Sequence, residues 1–169
     1  MIFHYGVLCY TENMMREMRR KDREKPREFA LAVVDKCAWS VMATVNPDGS
    51  PYCIPLSMAR DGEWLYFHCA TEGHKLDNLR RENRVCVTCV GESKPIPGTF
   101  SIEFESAVIF GAASEVTERE EKIHALELIS RRYMPDNMAA FDEAIEKSLE
   151  VTAVWKIHID GISGKGRKR

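Results

Sequence analysis

The chain holds 169 residues, with 24 Lys and Arg against 26 Asp and Glu and a formal charge of −2 at pH 7. This length suits one domain built on a single core. The near-even charge excludes a global field that would draw in nucleic acid or an anionic membrane, so a bound anion has to be held by a local cluster.

In chain order, the opening MIFHYGVLCYTENMM lacks a basic n-region, and His4, Gly6 and Tyr10 break its apolar run. It therefore satisfies neither the secretory pattern nor the length of a membrane span. Residues 1–17 read as a mobile arm or an early start, Met14, Met15 and Met18 all being possible first residues, and 18–169 as the one domain. Six cysteines without a signal peptide suggest reduced thiols and a cytoplasmic location rather than a disulfide scaffold. Basic residues gather at 19–23, 74–84 and 165–169, three clusters that either converge on one anion or are three solvated faces.

Pro26 followed by Phe29, Ala30, Val33, Val34 and Cys37 predicts an amphipathic helix over 26–37. A β-rich run at 39–45, the turn Asn46-Pro47-Asp48-Gly49 and a strand at 50–59 make a first hairpin. Asp61-Gly62 matches a type I′ turn into a strand at 63–69. Gly73 then opens a short basic helix to about residue 83, whose unpaired N–H groups, with His74 and Lys75 beside them, suit a phosphate. A strand at 84–90 leads to GESKPIPG, where two prolines argue for an irregular loop. A long strand over 100–116 is expected to bend at Gly111. Thr117 and Glu120 read as a capping box for a helix carrying Ile123, Leu126, Ile129 and Tyr133, followed by a helix over 139–149 and a last strand over 151–159. Cys86 and Cys89, three apart on a strand, point to opposite faces, which argues against a metal pair; no metal site is expected.

The run Tyr66-Phe67-His68, Gly73-His74-Lys75 and Asn78-Leu79-Arg80, the MRRKDRE stretch at 18–24, the strand around Ser106 and the Gly/Lys/Arg ending resemble the pyridoxamine 5′-phosphate oxidase-like split barrels, in particular their nitroimidazole-reductase branch. The resemblance covers residues 18–168. It implies a mainly β (α+β) fold, a six-stranded antiparallel split β-barrel with flanking helices. It also implies a homodimer with FMN at the subunit interface, FAD or haem being less expected, and NAD(P)H as electron donor to a small acceptor such as a nitroaromatic.

By the same resemblance Lys75 grips the flavin phosphate, and His74 stands where arginine is common, so cofactor affinity is expected to fall as pH rises. Pro55, Leu56, Ser57 and Met58 border the isoalloxazine ring. His68 lies near it as a proton donor or a structural histidine, with Cys69 beside it. Ser106 makes a polar contact, and Trp155, Lys165 and Arg167 close over the cofactor or the partner. The alternatives are a flavin- or haem-binding protein without reductase activity, or true pyridoxamine-phosphate oxidation, from whose arginine-rich terminal motif the GISGKGRKR ending departs.

Overall fold

The structure, a computed structural model, describes residues 15–168. Most of the arm expected over 1–17 therefore lies outside the described residues. One antiparallel sheet organises the chain: β1 (Glu24–Lys25), β2 (Ser40–Val45), β3 (Pro51–Leu56), β4 (Ala59–Asp61), β5 (Trp64–Ala70), β6 (Arg84–Pro95), β7 (Ile102–Glu115) and β8 (Thr152–Arg167). Around it lie α1 (Arg27–Lys36), α2 (His74–Arg81), α3 (Arg119–Tyr133) and α4 (Phe141–Ser148). The strand order is β3-β2-β6-β7-β8-β5-β4, with β1 added alongside β8. This is the split barrel flanked by helices, with eight strands rather than six.

The strand expected over 50–59 is two strands. Ser57 and Met58 carry the chain from β3, at one end of the sheet path, to β4 at the other, which rolls the sheet into a barrel without pairing its ends. A break of this kind leaves backbone groups without ladder partners. Tyr133 of α3 supplies them: its hydroxyl accepts the Met58 N–H at 3.2 Å and donates to the Met58 carbonyl at 3.0 Å.

Four further expectations need correction. Only Gly62 of the Gly62-Glu63 loop has positive φ, at 56°, so the turn follows the II′ rather than the I′ pattern. The GESKPIPG segment is mostly strand: β6 continues past a bulge between Val90 and Ser93 to pair Pro95 with Ile102, the prolines being tolerated because they fall at the strand end and in the turn. Helix α3 starts at Arg119 with Glu118 as an unbonded N-cap rather than with a Thr117 box. The last strand runs on to Arg167, because β7 pairs with it along its length and β5 and then β1 occupy its other side.

Two apolar clusters hold the fold. The larger fills the barrel, with Met42, Met58, Phe67, Val87, Ile109 and Ile157 meeting Ala30, Val33 and Val34 of α1 and Leu76 and Leu79 of α2. The second seats α3 and α4 on the β5 and β8 flank through Tyr66, Leu126, Ile129, Ile145 and Val154. Helix α1 comes close to β8: a Cβ on Gly164 would sit 3.1 Å from that of Ala30, and one on Gly166 2.9 Å from the Phe29 ring. The glycines of the terminal segment thus serve packing, and their spacing leaves Lys165 and Arg167 on the opposite side of β8.

Candidate functional site

The first turn of α2 presents a cradle suited to an anion. Gly73, at φ 132°, is its N-cap, and its carbonyl accepts from both Leu76 and Asp77 N–H. The N–H groups of His74 and Lys75 are thereby left without an intrahelical partner, at the positive end of the helix dipole. Lys75 is half-buried and follows directly.

A network from β2 and β3 fixes this turn. Asn46 Oδ1 accepts His74 Nε2 at 2.7 Å and Asn78 Nδ2 at 2.8 Å, and fully buried Asn78 also donates to Thr44 Oγ1 at 3.0 Å. The Tyr52 ring lies 4.1 Å from the His74 ring, and Arg81 donates to the Val45 and Asn46 carbonyls at 2.8 and 2.7 Å. His74 is thus committed through Nε2, and only Nδ1 remains for a ligand. Asn46, Tyr52 and Thr44, which hold this arrangement, were not singled out from sequence; their only signal was the asparagine at the head of the first turn.

His68, exposed on β5, has its pKa pushed below the ordinary imidazole value, first by burial of the ring against protein and then by the Lys75 charge. The thiol of half-buried Cys69, next in the chain, is pushed up by burial, against the lowering effect of the Lys75 charge. Pro55 lies exposed opposite Val41, Leu56 packs half-buried against the core, and Ser57 is half-buried at the crossing. The Met58 side chain is fully buried and both its backbone groups are taken by Tyr133, so it offers a ligand no free group. Trp155 is 3% exposed, its ring in the core opposite Phe67 and its Nε1 without a hydrogen-bond partner.

The remaining predicted residues lie elsewhere. His68 pairs with Val154, near the start of β8, whereas Lys165 and Arg167 sit at the far end, roughly 35–45 Å along an extended strand. Ser106 pairs with Lys165 and donates to its carbonyl at 3.4 Å. One chain therefore splits the predicted set into an α2 group and a tail group. Between them runs an outward sheet face on which Trp39, Val41, Val45 and Val90 are 62, 41, 38 and 56% exposed. Cys86 shares that outward side, while Cys89 points inward to the Ser40 hydroxyl at 3.3 Å, so the two thiols face apart. Among the described residues no group of three or more His, Cys, Asp or Glu side chains is placed to hold a metal.

A thiol cluster unread in the sequence lies at the end of α1. Cys37 Sγ is 3.6 Å from Ser40 Oγ, which bridges to Cys89, and Arg132 donates to the Val34 and Cys37 carbonyls. Hydrogen bonding with Cys89, then with Ser40, and the nearby Arg132 charge push the Cys37 thiol below the ordinary thiol value.

The fold is shared widely. A protein proposed to confer 5-nitroimidazole antibiotic resistance in Bacteroides thetaiotaomicron VPI-5482 matches at a TM-score of 0.72 with 28% identity over 84% of each chain. The flavocytochrome Anf3 of Azotobacter vinelandii matches at 0.77 with 20% identity over 91% of this chain and 73% of its own. The FAD and haem binding protein of Mycobacterium smegmatis matches at 0.74 with 22% identity over 87% and 74%. No curated protein matches the chain. The sequence profile described as pyridoxamine 5′-phosphate oxidase matches residues 23–166, nearly the whole described region, and the chain belongs to that family.

Proposed function

We propose that the protein is a homodimeric FMN-dependent oxidoreductase that takes electrons from NAD(P)H and reduces small acceptors of the nitroaromatic class. The observation that carries this reading is the α2 turn: two free N–H groups and Lys75 converge where a flavin phosphate would sit, braced by Asn46, Tyr52 and Asn78. FMN, when bound, supplies two-electron transfer between the nicotinamide and the acceptor. Lys75 and the helix start bind its phosphate, and the wall of Pro55, Leu56 and Ser57 excludes water from one side of the ring. His68, whose neutral form is favoured by burial and by the Lys75 charge, would offer an imidazole N–H to the acceptor.

The apolar outward face and the split of the tail residues from α2 both call for a second copy of the chain. Lys165 and Arg167 then approach the cofactor of the neighbouring subunit rather than their own. The likeness to the Bacteroides protein supports the choice of acceptor class. A cytoplasmic location accords with the free thiols and with the lack, among the described residues, of a helix long and apolar enough to cross a membrane.

The test is the absorption spectrum of the purified protein, then a titration of FMN. A flavin spectrum is expected, and Lys75→Ala should weaken FMN binding by about 1.5–3 kcal/mol, the scale of a hydrogen bond to a charged group. A haem spectrum, or unchanged FMN affinity in the variant, overturns the reading.

A further inference from the structure

The end of the molecule remote from α2 holds a second concave site. A cleft of about 410 Å³ is lined by Arg19, Arg20, Arg23 and Lys165, with Phe100 and Phe104 among its apolar residues and Arg167 beside them. That volume is within the range of small-molecule sites. The segment before β1, β8 and the β6–β7 hairpin build it jointly, since Glu24 pairs with Lys165, Phe104 with Arg167 and Pro95 with Ile102. Cations from two separate segments, the stretch before β1 and the end of β8, are thus brought onto one surface, beside phenylalanine rings supplied by the third.

Their charge is incompletely answered. Asp22 takes Arg20 through a two-point pair at 2.7 and 2.6 Å and also accepts from Arg23 at 3.0 Å, and Arg167 donates to the Ser101 hydroxyl. Among the described residues, neither Arg19 nor Lys165 forms an ion pair with a carboxylate. Like charges held this close repel, and a phosphate relieves that repulsion through the fork geometry of the guanidinium groups. Phe100 is fully exposed, an arrangement that costs hydrophobic free energy in water and suits a planar base laid against it.

Given the reductase reading above, on which this step rests, we propose that the cleft binds the phosphorylated adenosine end of NADPH, with Arg19 and Arg23 on the 2′-phosphate and Phe100 against the base. Five lining cations against the Asp22 carboxylate leave an excess that the two charges of the NADH pyrophosphate would offset only in part, whereas the added phosphomonoester meets the remainder, so NADPH is the preferred reductant. The position is consistent with delivery to an interface flavin: Lys165 pairs with Ser106 and Ser106 with exposed Val90, so the cleft adjoins the outward face.

Calorimetric titration of the full-length protein, as purified with its cofactor, with adenosine 2′,5′-bisphosphate, ADP and inorganic pyrophosphate tests this. The bisphosphate should bind saturably, at least tenfold more tightly than ADP or pyrophosphate, and weaken as salt is raised. In Arg19→Ala/Arg23→Ala its affinity should fall at least tenfold, with an unchanged circular dichroism spectrum confirming the fold. No saturable binding, or equal binding by that variant, overturns the proposal. ADP binding as tightly as the bisphosphate overturns the NADPH assignment in favour of a dinucleotide flavin whose adenylate fills the cleft. Bisphosphate binding to a protein that retains no flavin leaves the cleft standing and removes the reductase reading, and flavin retention without bisphosphate binding does the reverse.

Discussion

His68 shows how one strand position acquires a lowered imidazole pKa. Burial against its neighbours and the Lys75 ammonium both disfavour imidazolium, and burial is the larger of the two. Because the folded pKa lies below that of the unfolded chain, the folded state binds the proton less readily. Stability is therefore lost as pH falls through the ordinary imidazole range near 6.5. In an NMR titration His68 should show a midpoint below about 6.5. Lys75→Ala should raise that midpoint without restoring it fully, since the larger cause remains, and full restoration would mean that Lys75 dominates. The helix start at Gly73, with His74 and Lys75 in its first turn, was legible because it is local: a glycine followed by adjacent cations. The clamp of Asn46, Tyr52 and Asn78 on that turn was not, because it joins residues brought together only by the β2–β3 hairpin. Cys37, Ser40 and Cys89 meet for the same reason, across the β2–β6 ladder.

At the scale of elements, the crossing from β3 to β4 depends on one tyrosine hydroxyl. Tyr133→Phe keeps the ring but leaves the N–H and carbonyl of buried Met58 without partners, and should cost about 1–3 kcal/mol in chemical denaturation. A loss below a few tenths would show that other groups or water take over. The strands and helices themselves were largely readable from periodicity and turn residues, and the errors have physical causes. A run that reads as one strand over 50–59 contains no local sign that its halves belong to opposite ends of the sheet. The Thr117 box failed because Val116 is still bonded to the Val154 carbonyl at 2.9 Å, which keeps the backbone extended through Glu118. Pro95 ended the predicted strand too early because a proline as the last paired residue has no N–H that the ladder needs.

For the whole molecule, the exposed Trp39, Val41, Val45 and Val90 face and the separated tail lead to a linked pair of equilibria. If flavin is held by groups from two chains, FMN added to apo-protein should raise both the thermal unfolding midpoint and the dimer fraction in sedimentation. Placing a charge on the face with Val41→Glu should yield a folded monomer of 19.3 kDa that loses its flavin. A flavin-bound monomer would refute the interface site and with it the role given to Lys165 and Arg167.

The rolled sheet still has ends, and β3 is one of them. Pairing with β2 sets Pro51 against Val45, Cys53 against Ala43 and Pro55 against Val41, so these three residues turn their backbone nitrogens the same way. Proline carries no N–H, and a proline inside a strand is tolerated where that nitrogen faces away from the ladder. Of the three positions on this edge, Cys53 alone has a donor to offer an incoming strand, which starves amyloid-like growth of its template. Pro51→Val/Pro55→Val should thus aggregate faster on mild heating, by light scattering and thioflavin fluorescence, while its circular dichroism before heating stays that of the parent; equal aggregation rates would show that the edge is protected by other means.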